Sequence, residues 1–349
     1  MTIRADNLGS LLRPDWLRAA HDDPALAADE RRAIEDRAIL EAIALQEAVG
    51  LPIVTDGEFR RRHFFSTLVA VTEGMDPEGY ERRHRDEQGN WYPVRTPTAV
   101  ARLRRTSTMA EHELAFVRAH TNRPVKVTLP APSLLAAYWN RDPDGPYPTR
   151  AAYLDHLVEL TREDVAALAA AGAAHVQLDA PHYSYIATIQ PDADDPDATL
   201  REAVRRDQEV FDGIDVVSAL HVCRGNNRSR YVGSDPYDAF ADVLFPEIRV
   251  DRVLLEYDDD RSGGFEPLRL LPEDVTVVLG LLTTKRSPLE DRAVLRARID
   301  EAAALIGLER LALSTQCGFA SDARGNEITP EAQRAKLALV VDLAGEVWG

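Results

Sequence analysis

"YLDHLVELTREDVAALAAAGAAHVQLDAP", residues 153–181, shows both kinds of element from which this chain is built. Residues 153–172 repeat apolar side chains at helical spacing, and Gly172 stands where a helix C-cap is expected. Residues 175–181 form an apolar run that is typical of a strand buried on both faces. The stretch therefore predicts one helix and one strand of a parallel α/β fold.

Similar apolar runs occur along the whole chain, and stretches with helical spacing separate most of them. Eight runs predict strands, and they cover residues 3–10, 52–58, 125–130, 175–181, 216–223, 252–258, 275–282 and 311–318. Eight buried strands that alternate with helices are the pattern of a closed parallel barrel. We predict an α/β fold, a single (β/α)8 TIM-type barrel that forms one domain over residues 1–349.

One segment departs from this alternation. Residues 59–124 separate the second and third predicted strands by much more than one helix requires. Within them, residues 86–105 contain a Gly-Asn pair and alternating apolar residues, which favour a β-hairpin. We expect residues 59–124 to form an insertion over the mouth of the barrel.

The composition excludes several classes of protein. Hydrophobic residues make up 45% and charged residues 28% of the chain, as in soluble globular proteins. A net charge of −17 disfavours sequence-independent binding to nucleic acid or to anionic membranes. Two cysteines do not make a disulfide framework, and no signal peptide or membrane-spanning run is recognised. We expect a cytoplasmic protein with no nucleic-acid or membrane partner, and formation of a homodimer is left open.

Potential metal ligands gather at the predicted strand ends, where barrel enzymes carry their catalytic side chains. His221 and Cys223 end the fifth strand, and residues i and i+2 of an extended chain point to the same face. Glu256 ends the sixth strand and Cys317 the eighth, so both cysteines of the chain fall on one rim. Zinc prefers thiolate, imidazole and carboxylate ligands. The alternative is that these residues only pack in the core, but their convergence favours a zinc (Zn2+) site.

Six motifs then resemble one family in the correct order. They are NLGSLLRP (7–14), TDGEFRR (55–61), QLDAP (177–181), HVCRGN (221–226), LLEYDDDRSGGFEPL (254–268) and STQCGFAS (314–321). They resemble the cobalamin-independent methionine synthase family, in particular short stand-alone members that match only its C-terminal catalytic barrel. The resemblance covers about residues 5–348 and implies the same barrel fold.

The resemblance also implies an activity and a substrate pocket. The family's zinc ligands correspond to the four residues named above, and its substrate-carboxylate ligand corresponds to Ser10. Glu58 and Asp179 correspond to acidic residues that hold the substrate ammonium, which is physically sensible because such hydrogen bonds are charge-assisted. The implied reaction transfers a methyl group to the thiol of homocysteine and gives methionine. Zinc would activate that thiol by deprotonating it.

The identity of the methyl donor is left open by two departures from the family. Full-length members carry Asp-x-His after the seventh strand, whereas residues 279–287 here read LGLLTTKRS. The N-terminal half that helps to bind folate in the long enzymes has no counterpart. The donor is therefore 5-methyltetrahydrofolate, methylcobalamin or another methylated compound.

Three further residues are candidates for substrate contacts. Tyr138 and Trp139 lie near the position where the family stacks a pterin, and His182 follows Asp179 on the same loop. Each has an alternative role in core or loop packing.

Other functions on the same scaffold also remain open. They are another zinc-thiolate alkyl transfer, such as opening an epoxide with a thiol cofactor, a zinc-binding barrel without catalysis, and a metal-free decarboxylase. Glu58 and Asp179 favour a thiol that bears an ammonium group over one that bears a sulfonate.

Overall fold

The apolar runs of the sequence fold into a curled parallel sheet. The structure, a computed structural model, describes residues 3–85, 91–140, 142–186, 195–230, 233 and 235–349. Within these residues nine strands form, namely β1 (Ala5–Asp6), β2 (Thr72–Arg85), β3 (Trp91–Arg105), β4 (Lys126–Pro130), β5 (His175–Asp179), β6 (Val217–Val222), β7 (Arg252–Glu256), β8 (Thr276–Leu282) and β9 (Leu311–Thr315).

Seven of these strands pair in parallel in the order β1-β9-β8-β7-β6-β5-β4. Residues around Val54 lie between the two ends of this sheet, because Val54 forms a parallel bridge with Val125 just before β4. On the other side, the Leu11 N–H donates to the Gly57 carbonyl over 3.1 Å. The prediction of a TIM-type barrel is therefore confirmed.

The second predicted strand, residues 52–58, is reduced to that single bridge. Pro52 has no N–H to donate to a neighbouring strand. Gly57 and Glu58 have φ values of 71° and 59°, which are incompatible with an extended chain. The barrel is thus closed at this position by a short irregular segment and not by a regular strand.

Helices surround the sheet. The described residues form α1 (Asp15–Asp22), α2 (Ala28–Ala48), α3 (Ser66–Ala70), α4 (Glu111–His120), α5 (Pro132–Ala136), α6 (Arg150–Ala170), α7 (Pro196–Gln208), α8 (Ala241–Leu244), α9 (Arg292–Ile306) and α10 (Pro330–Trp348). Side chains cap two of the long helices: Thr149 accepts from the Ala152 N–H at the start of α6, and Thr329 caps α10 in the same way. Gly172, with φ 86°, follows the end of α6 as predicted.

The strands bury both of their faces, as their continuous apolar runs predicted. Leu220, Leu255 and Leu279 face outward and belong to the large core between the sheet and the helices. Their neighbours in the chain point into the barrel, where a separate small core consists of Leu8, Ala219, Leu254, Val278 and Ala312. This alternation is the period-two pattern of a strand. It leaves the polar side chains at the strand ends to form a site above the inner core.

The segment 59–124 contains α3, an antiparallel pair of strands and α4. In this pair Thr72 of β2 lies opposite Arg105 of β3, so the first strand begins well before the predicted hairpin. The connecting residues 86–90, which include the Gly-Asn pair, lie outside the described residues. The hydroxyl of Tyr147 accepts from the Leu103 N–H over 2.8 Å and ties β3 to the barrel.

In the part of the chain that the structure describes, no helix combines the length and the apolar character needed to cross a membrane.

The close packing of β8 against its neighbours gives a test of the barrel. A Cβ added at Gly280 would lie 2.7 Å from the Gln316 Cα and 2.9 Å from the Leu255 carbonyl oxygen. We expect Gly280→Ala to lower the free energy of unfolding by about 1–3 kcal/mol or more, because backbone must move to make room. Chemical denaturation followed by circular dichroism measures this change.

Gly345 in α10 provides the matched control, since no described atom lies within 4 Å of a Cβ added there. Gly345→Ala should raise the stability by about 0.5–1 kcal/mol, the usual gain for alanine in a helix. Equal effects of the two substitutions would contradict the packing described for β8.

Candidate functional site

The four predicted ligand side chains meet at the C-terminal ends of the strands. His221 and Cys223 come from the end of β6, Glu256 from the end of β7 and Cys317 from the loop after β9. One potential ligand atom of each residue lies within 4.8 Å of the others. The two Sγ atoms are 3.7 Å apart, as are His221 Nε2 and Glu256 Oε1. All four side chains are buried, so the residues form a compact cluster of four donors.

Unsatisfied polar atoms indicate that the cluster fits a metal ion. His221 Nε2 and both carboxylate oxygens of Glu256 are buried and have no hydrogen-bond partner. Buried polar atoms in folded proteins are nearly always hydrogen-bonded. A cation among these atoms would satisfy them, and two sulfurs, an imidazole and a carboxylate suit a transition-metal ion.

The imidazole of His221 is oriented by Asp179. Asp179 Oδ1 lies 3.1 Å from His221 Nδ1 and also accepts from Gln177 Nε2 over 2.8 Å. Burial favours the neutral ring, but the carboxylates of Asp179 and Glu256 outweigh it and raise the pKa of His221 to about 10. The contact with Asp179 leaves Nε2 for the cluster, as in metal sites where a carboxylate orients a histidine ligand.

The carboxylate of Glu256 stays ionised although it is buried. Burial alone would raise the pKa of Glu256, but Lys285 and His221 lower it to about 2. The main chain of Glu256 is held on both sides, because its N–H donates to the Tyr237 hydroxyl over 2.8 Å and its carbonyl accepts from Ser262 Oγ over 2.7 Å. Glu256 is therefore a fixed and charged acceptor.

The two cysteine loops are joined by polar side chains. Asn226 Nδ2 donates to the Gly318 carbonyl over 3.0 Å, and Thr284 Oγ1 lies 3.1 Å from the same oxygen. The Cys317 thiol and burial together raise the pKa of Cys223 well above its usual value. Both sulfurs are thus in place, but ionisation of Cys223 needs a positive charge nearby.

A cavity of about 570 Å³ opens beside the cluster. Its floor consists of buried side chains, and its rim is exposed. The floor includes Ser10, Glu58, Asp179, His221, Cys223 and Cys317. The structure therefore brings the predicted ligands of the substrate carboxylate and ammonium to the same cavity as three of the four predicted metal ligands.

Glu58 is held at the floor in an uncommon conformation. Its φ of 59° is in the left-handed region, which costs a non-glycine residue of order 1–3 kcal/mol. The Glu58 carbonyl accepts from Arg13 Nη2 over 2.7 Å and from the Arg61 N–H over 3.0 Å. Thr128 Oγ1 donates to Glu58 Oε1 over 2.8 Å, while Oε2 is buried without a partner. The surroundings thus keep one carboxylate oxygen available to a ligand.

The electrostatics of the floor favour a cation. Burial raises the pKa of Glu58 to about 7, against the attraction of Arg61, and the Asp179 carboxylate raises it further. Two buried carboxylates near each other gain most from an ammonium group placed between them.

Two glycines allow the loops around Ser10 to approach closely. A Cβ added at Gly318 would lie 2.0 Å from Ser10 Oγ, and one added at Gly9 would lie 2.7 Å from Glu58 Oε1. Gly9 also has a φ of 133°, which L side chains rarely adopt. Ser10 Oγ accepts from the Ala320 N–H over 3.3 Å, so the loops after β1 and β9 are joined at the floor.

Three other predicted residues have different positions. Tyr138 lines the cavity, whereas Trp139 and His182 are not among its lining residues. The indole of Trp139 donates to the Tyr147 carbonyl over 2.8 Å. His182 Nε2 lies 2.7 Å from Ser133 Oγ in a fully buried network, and burial lowers its pKa to about 3. Their contacts are those of loop packing.

Several residues of the rim and upper wall were not predicted from the sequence. These side chains come from the segment after residue 59, from the turn Pro181–Tyr185 after β5, from the loop after Cys223 and from the loop after Cys317. They are His63, Phe64, Phe65, Arg95, Tyr185, Asn227, Arg228, Arg230 and Arg324. The proximity of the last two loops to the cysteines was the available signal, but spacing alone does not show which loop side chains face a cavity.

Comparisons with known proteins agree on one family. The family model described as cobalamin-independent synthase, catalytic domain, matches residues 15–346. The uncharacterized protein YxjH of Bacillus subtilis is 33% identical over 368 residues, which cover 99% of this chain and 95% of the relative. A methionine synthase of Pyrococcus furiosus is 24% identical over 317 residues, 89% of this chain and 85% of the relative.

Solved structures show the same architecture. A B12-independent methionine synthase from Shewanella sp. W3-18-1, solved in complex with selenomethionine, superposes with a TM-score of 0.79. The sequence identity is 21%, and the alignment covers 99% of this chain and 98% of that one. At this identity the likeness concerns the fold.

Because the pKa of Glu58 is raised, ionisation of this side chain should lower the stability of the fold by an amount that depends on pH. In the unfolded chain Glu58 ionises near 4.5, and in the ligand-free fold near 7. The ionised form therefore destabilises the fold increasingly as the pH rises from about 4.5 to 7. We expect Glu58→Gln to raise the stability at pH 8 by up to about 3 kcal/mol and to give no gain at pH 4. Urea denaturation of the ligand-free protein at both pH values measures this.

Glu159→Gln on the exposed face of α6 is the control and should change stability equally at both pH values. A loss of stability at pH 8 in Glu58→Gln would contradict the electrostatic description of the floor.

Proposed function

The chain belongs to the cobalamin-independent synthase family, and on that premise we propose that it transfers a methyl group to the thiol of homocysteine to give methionine. One observation carries this proposal. The two floor carboxylates, Glu58 and Asp179, line the same cavity as the sulfurs of Cys223 and Cys317. An amino acid with a thiol side chain fits this combination. Its ammonium group would pair with the two carboxylates, and its sulfur would lie at the cysteine cluster.

The proposed cofactor is zinc, held by His221, Cys223, Glu256 and Cys317. Cysteine sulfur, histidine nitrogen and carboxylate oxygen are the ligand types that bind zinc in proteins. When bound, zinc supplies the positive charge that lowers the pKa of a substrate thiol and makes it a nucleophile at neutral pH. Asp179 contributes by holding the His221 ring, and Lys285 by keeping Glu256 ionised.

The proposed binding mode for the amino-acid part uses the rest of the floor. Glu58 and Asp179 accept hydrogen bonds from the ammonium, and Ser10 donates to the carboxylate. Tyr138 contributes a wall of the cavity. The close approach permitted by Gly9 and Gly318 keeps these groups near the sulfur site.

The methyl donor enters this proposal as 5-methyltetrahydrofolate or another methylated compound. We further propose that the insertion of residues 59–124 covers the mouth of the barrel, since His63, Phe64, Phe65, Pro93 and Arg95 line the cavity. These side chains would shield the transferred methyl group from water.

Among zinc-dependent thiol alkylations, the floor favours methyl transfer to an amino acid. A sulfonate-bearing thiol would bring its anion to Glu58 and Asp179, and that repulsion is unfavourable. An ammonium group in the same place is attracted to both residues.

The experiment that tests the function uses purified zinc-loaded protein with homocysteine. The donors compared are methyltetrahydrofolate, methylcobalamin and small methylated thiols and amines, with methionine detected by mass spectrometry. We expect about one zinc per chain and methionine from at least one donor. Cys317→Ser should lose both, because one of the two sulfur ligands is gone.

Ser314→Ala in β9 is a matched control, since Ser314 is buried on the strand that precedes the Cys317 loop but does not line the cavity. It should keep the zinc and the activity. Zinc-loaded protein that shows no heat of homocysteine binding in calorimetry would contradict the proposed function.

A further inference from the structure

The rim of the cavity is more positively charged than the rest of the molecule. Four arginines line it, namely Arg95, Arg228, Arg230 and Arg324, although the whole chain has a net charge of −17. The third acidic residue of the lining, Asp322, is already paired with Arg324 over 2.7 Å. The rim therefore keeps an excess of positive charge.

Two of these arginines have no partner within the described residues. Arg95 lies 3.9 Å from the carboxylate of Glu78. By contrast, Arg228 and Arg230 are exposed, and neither guanidinium has a hydrogen bond or an ion pair with another described residue. These two arginines can therefore receive an anionic ligand without losing a contact to any residue that the structure describes.

A rigid turn holds these two side chains at the rim. The backbones of Asn227 and Arg230 pair through hydrogen bonds of 2.7 and 3.1 Å. Between them, Arg228 and Ser229 have φ values of 52° and 67°, which glycine or asparagine usually provides in such tight turns. Asn326 Oδ1 accepts from the Ser229 N–H over 3.0 Å and holds the turn in this conformation.

Besides the buried polar floor and the exposed arginines, the lining contains an apolar and aromatic group, here called the wall. It includes Phe64, Phe65, Tyr138, Tyr185 and Pro181. A ligand that extends from the sulfur site to the rim would thus place an apolar body against this wall. An anionic group is repelled from the floor by Glu58 and Asp179, so the rim is the favourable place for it.

We propose that Arg228 and Arg230 bind an anionic group, a carboxylate or a phosphate, of the methyl donor. This inference rests on the proposed function for its assignment to the donor, because homocysteine occupies the floor. Guanidinium groups bind both anions through paired hydrogen bonds, and both anions are therefore included. The two arginines determine which donors are used and do not contact the transferred methyl group.

The test measures binding of two probe anions, a triglutamate peptide and inorganic pyrophosphate, to the zinc-loaded protein by calorimetry. Wild type is compared with the double variant Arg228→Gln/Arg230→Gln. We expect the double variant to bind the preferred probe about tenfold or more weakly, because two charge-assisted contacts are lost. The probe with the higher affinity identifies the carboxylate or the phosphate.

Two further variants keep the result interpretable. Arg32→Gln/Arg334→Gln removes the same charge from exposed positions away from the cavity and should bind the probes as wild type does. Arg228→Lys/Arg230→Lys retains the charge and should recover part of the affinity. In turnover with the donor found by screening, Arg228→Gln/Arg230→Gln should raise the donor KM about tenfold with little change in kcat or in homocysteine affinity.

The inference is overturned if wild type binds neither probe at millimolar concentration, or if the glutamine variant binds them as wild type does. If a probe binds through the two arginines but homocysteine does not bind, the proposed function is wrong and the anion site is supported. If the glutamine variant forms methionine with an unchanged donor KM, the anion site is wrong and the proposed function is supported.

Discussion

The arrangement of His221, Cys223, Glu256 and Cys317 is the constraint on which the rest of the site depends. Three strand ends bring a thiol pair, an imidazole and a carboxylate into a buried space with unsatisfied atoms. Without a cation, protonation of His221 and the charge of Lys285 offset the carboxylates of Asp179 and Glu256. A divalent ion bound to His221 Nε2 would take the place of the proton on the ring and would supply positive charge to the same carboxylates.

The barrel separates the tasks of the proposed reaction by depth. The apolar inner core lies lowest, the charged floor holds the carboxylates proposed to bind an amino acid, and the exposed rim carries arginines. Glycine at positions 9 and 318 lets the loops pack tightly enough for the floor to form. Glu58 and Arg228, which line the cavity, both have a positive φ, and in both places surrounding hydrogen bonds hold the backbone in that conformation.

Much of the fold and the grouping of His221, Cys223, Glu256 and Cys317 could be predicted from the sequence. Parallel strands place all their C-terminal ends at one edge, so residues at the ends of apolar runs were expected to meet there. The second strand was overestimated because Gly57 and Glu58 turn out of the extended region. The hairpin begins at Thr72, earlier than predicted. Its first part was not recognised because Gly74 and Gly79 interrupt the alternation of apolar residues, and the strand pairing is irregular there.

The spacing of residues in the sequence could not predict the direction in which side chains in loops point. His182 follows Asp179 closely, yet the short helical turn Pro181–Tyr185 directs it into a buried network with Ser133. Trp139 is adjacent to Tyr138 but faces Tyr147 instead of the cavity. The arginines of the rim come from distant segments, and only the packing of those loops on one another brings them together.

X-ray absorption at the zinc edge of the zinc-loaded protein tests the central claim most directly, because it counts the atoms around the ion. We expect two sulfur neighbours at about 2.3 Å and two nitrogen or oxygen neighbours at about 2.0–2.2 Å. Addition of homocysteine should add a third sulfur. A coordination shell without sulfur would contradict the assignment of Cys223 and Cys317 as ligands and, with it, the account of the site.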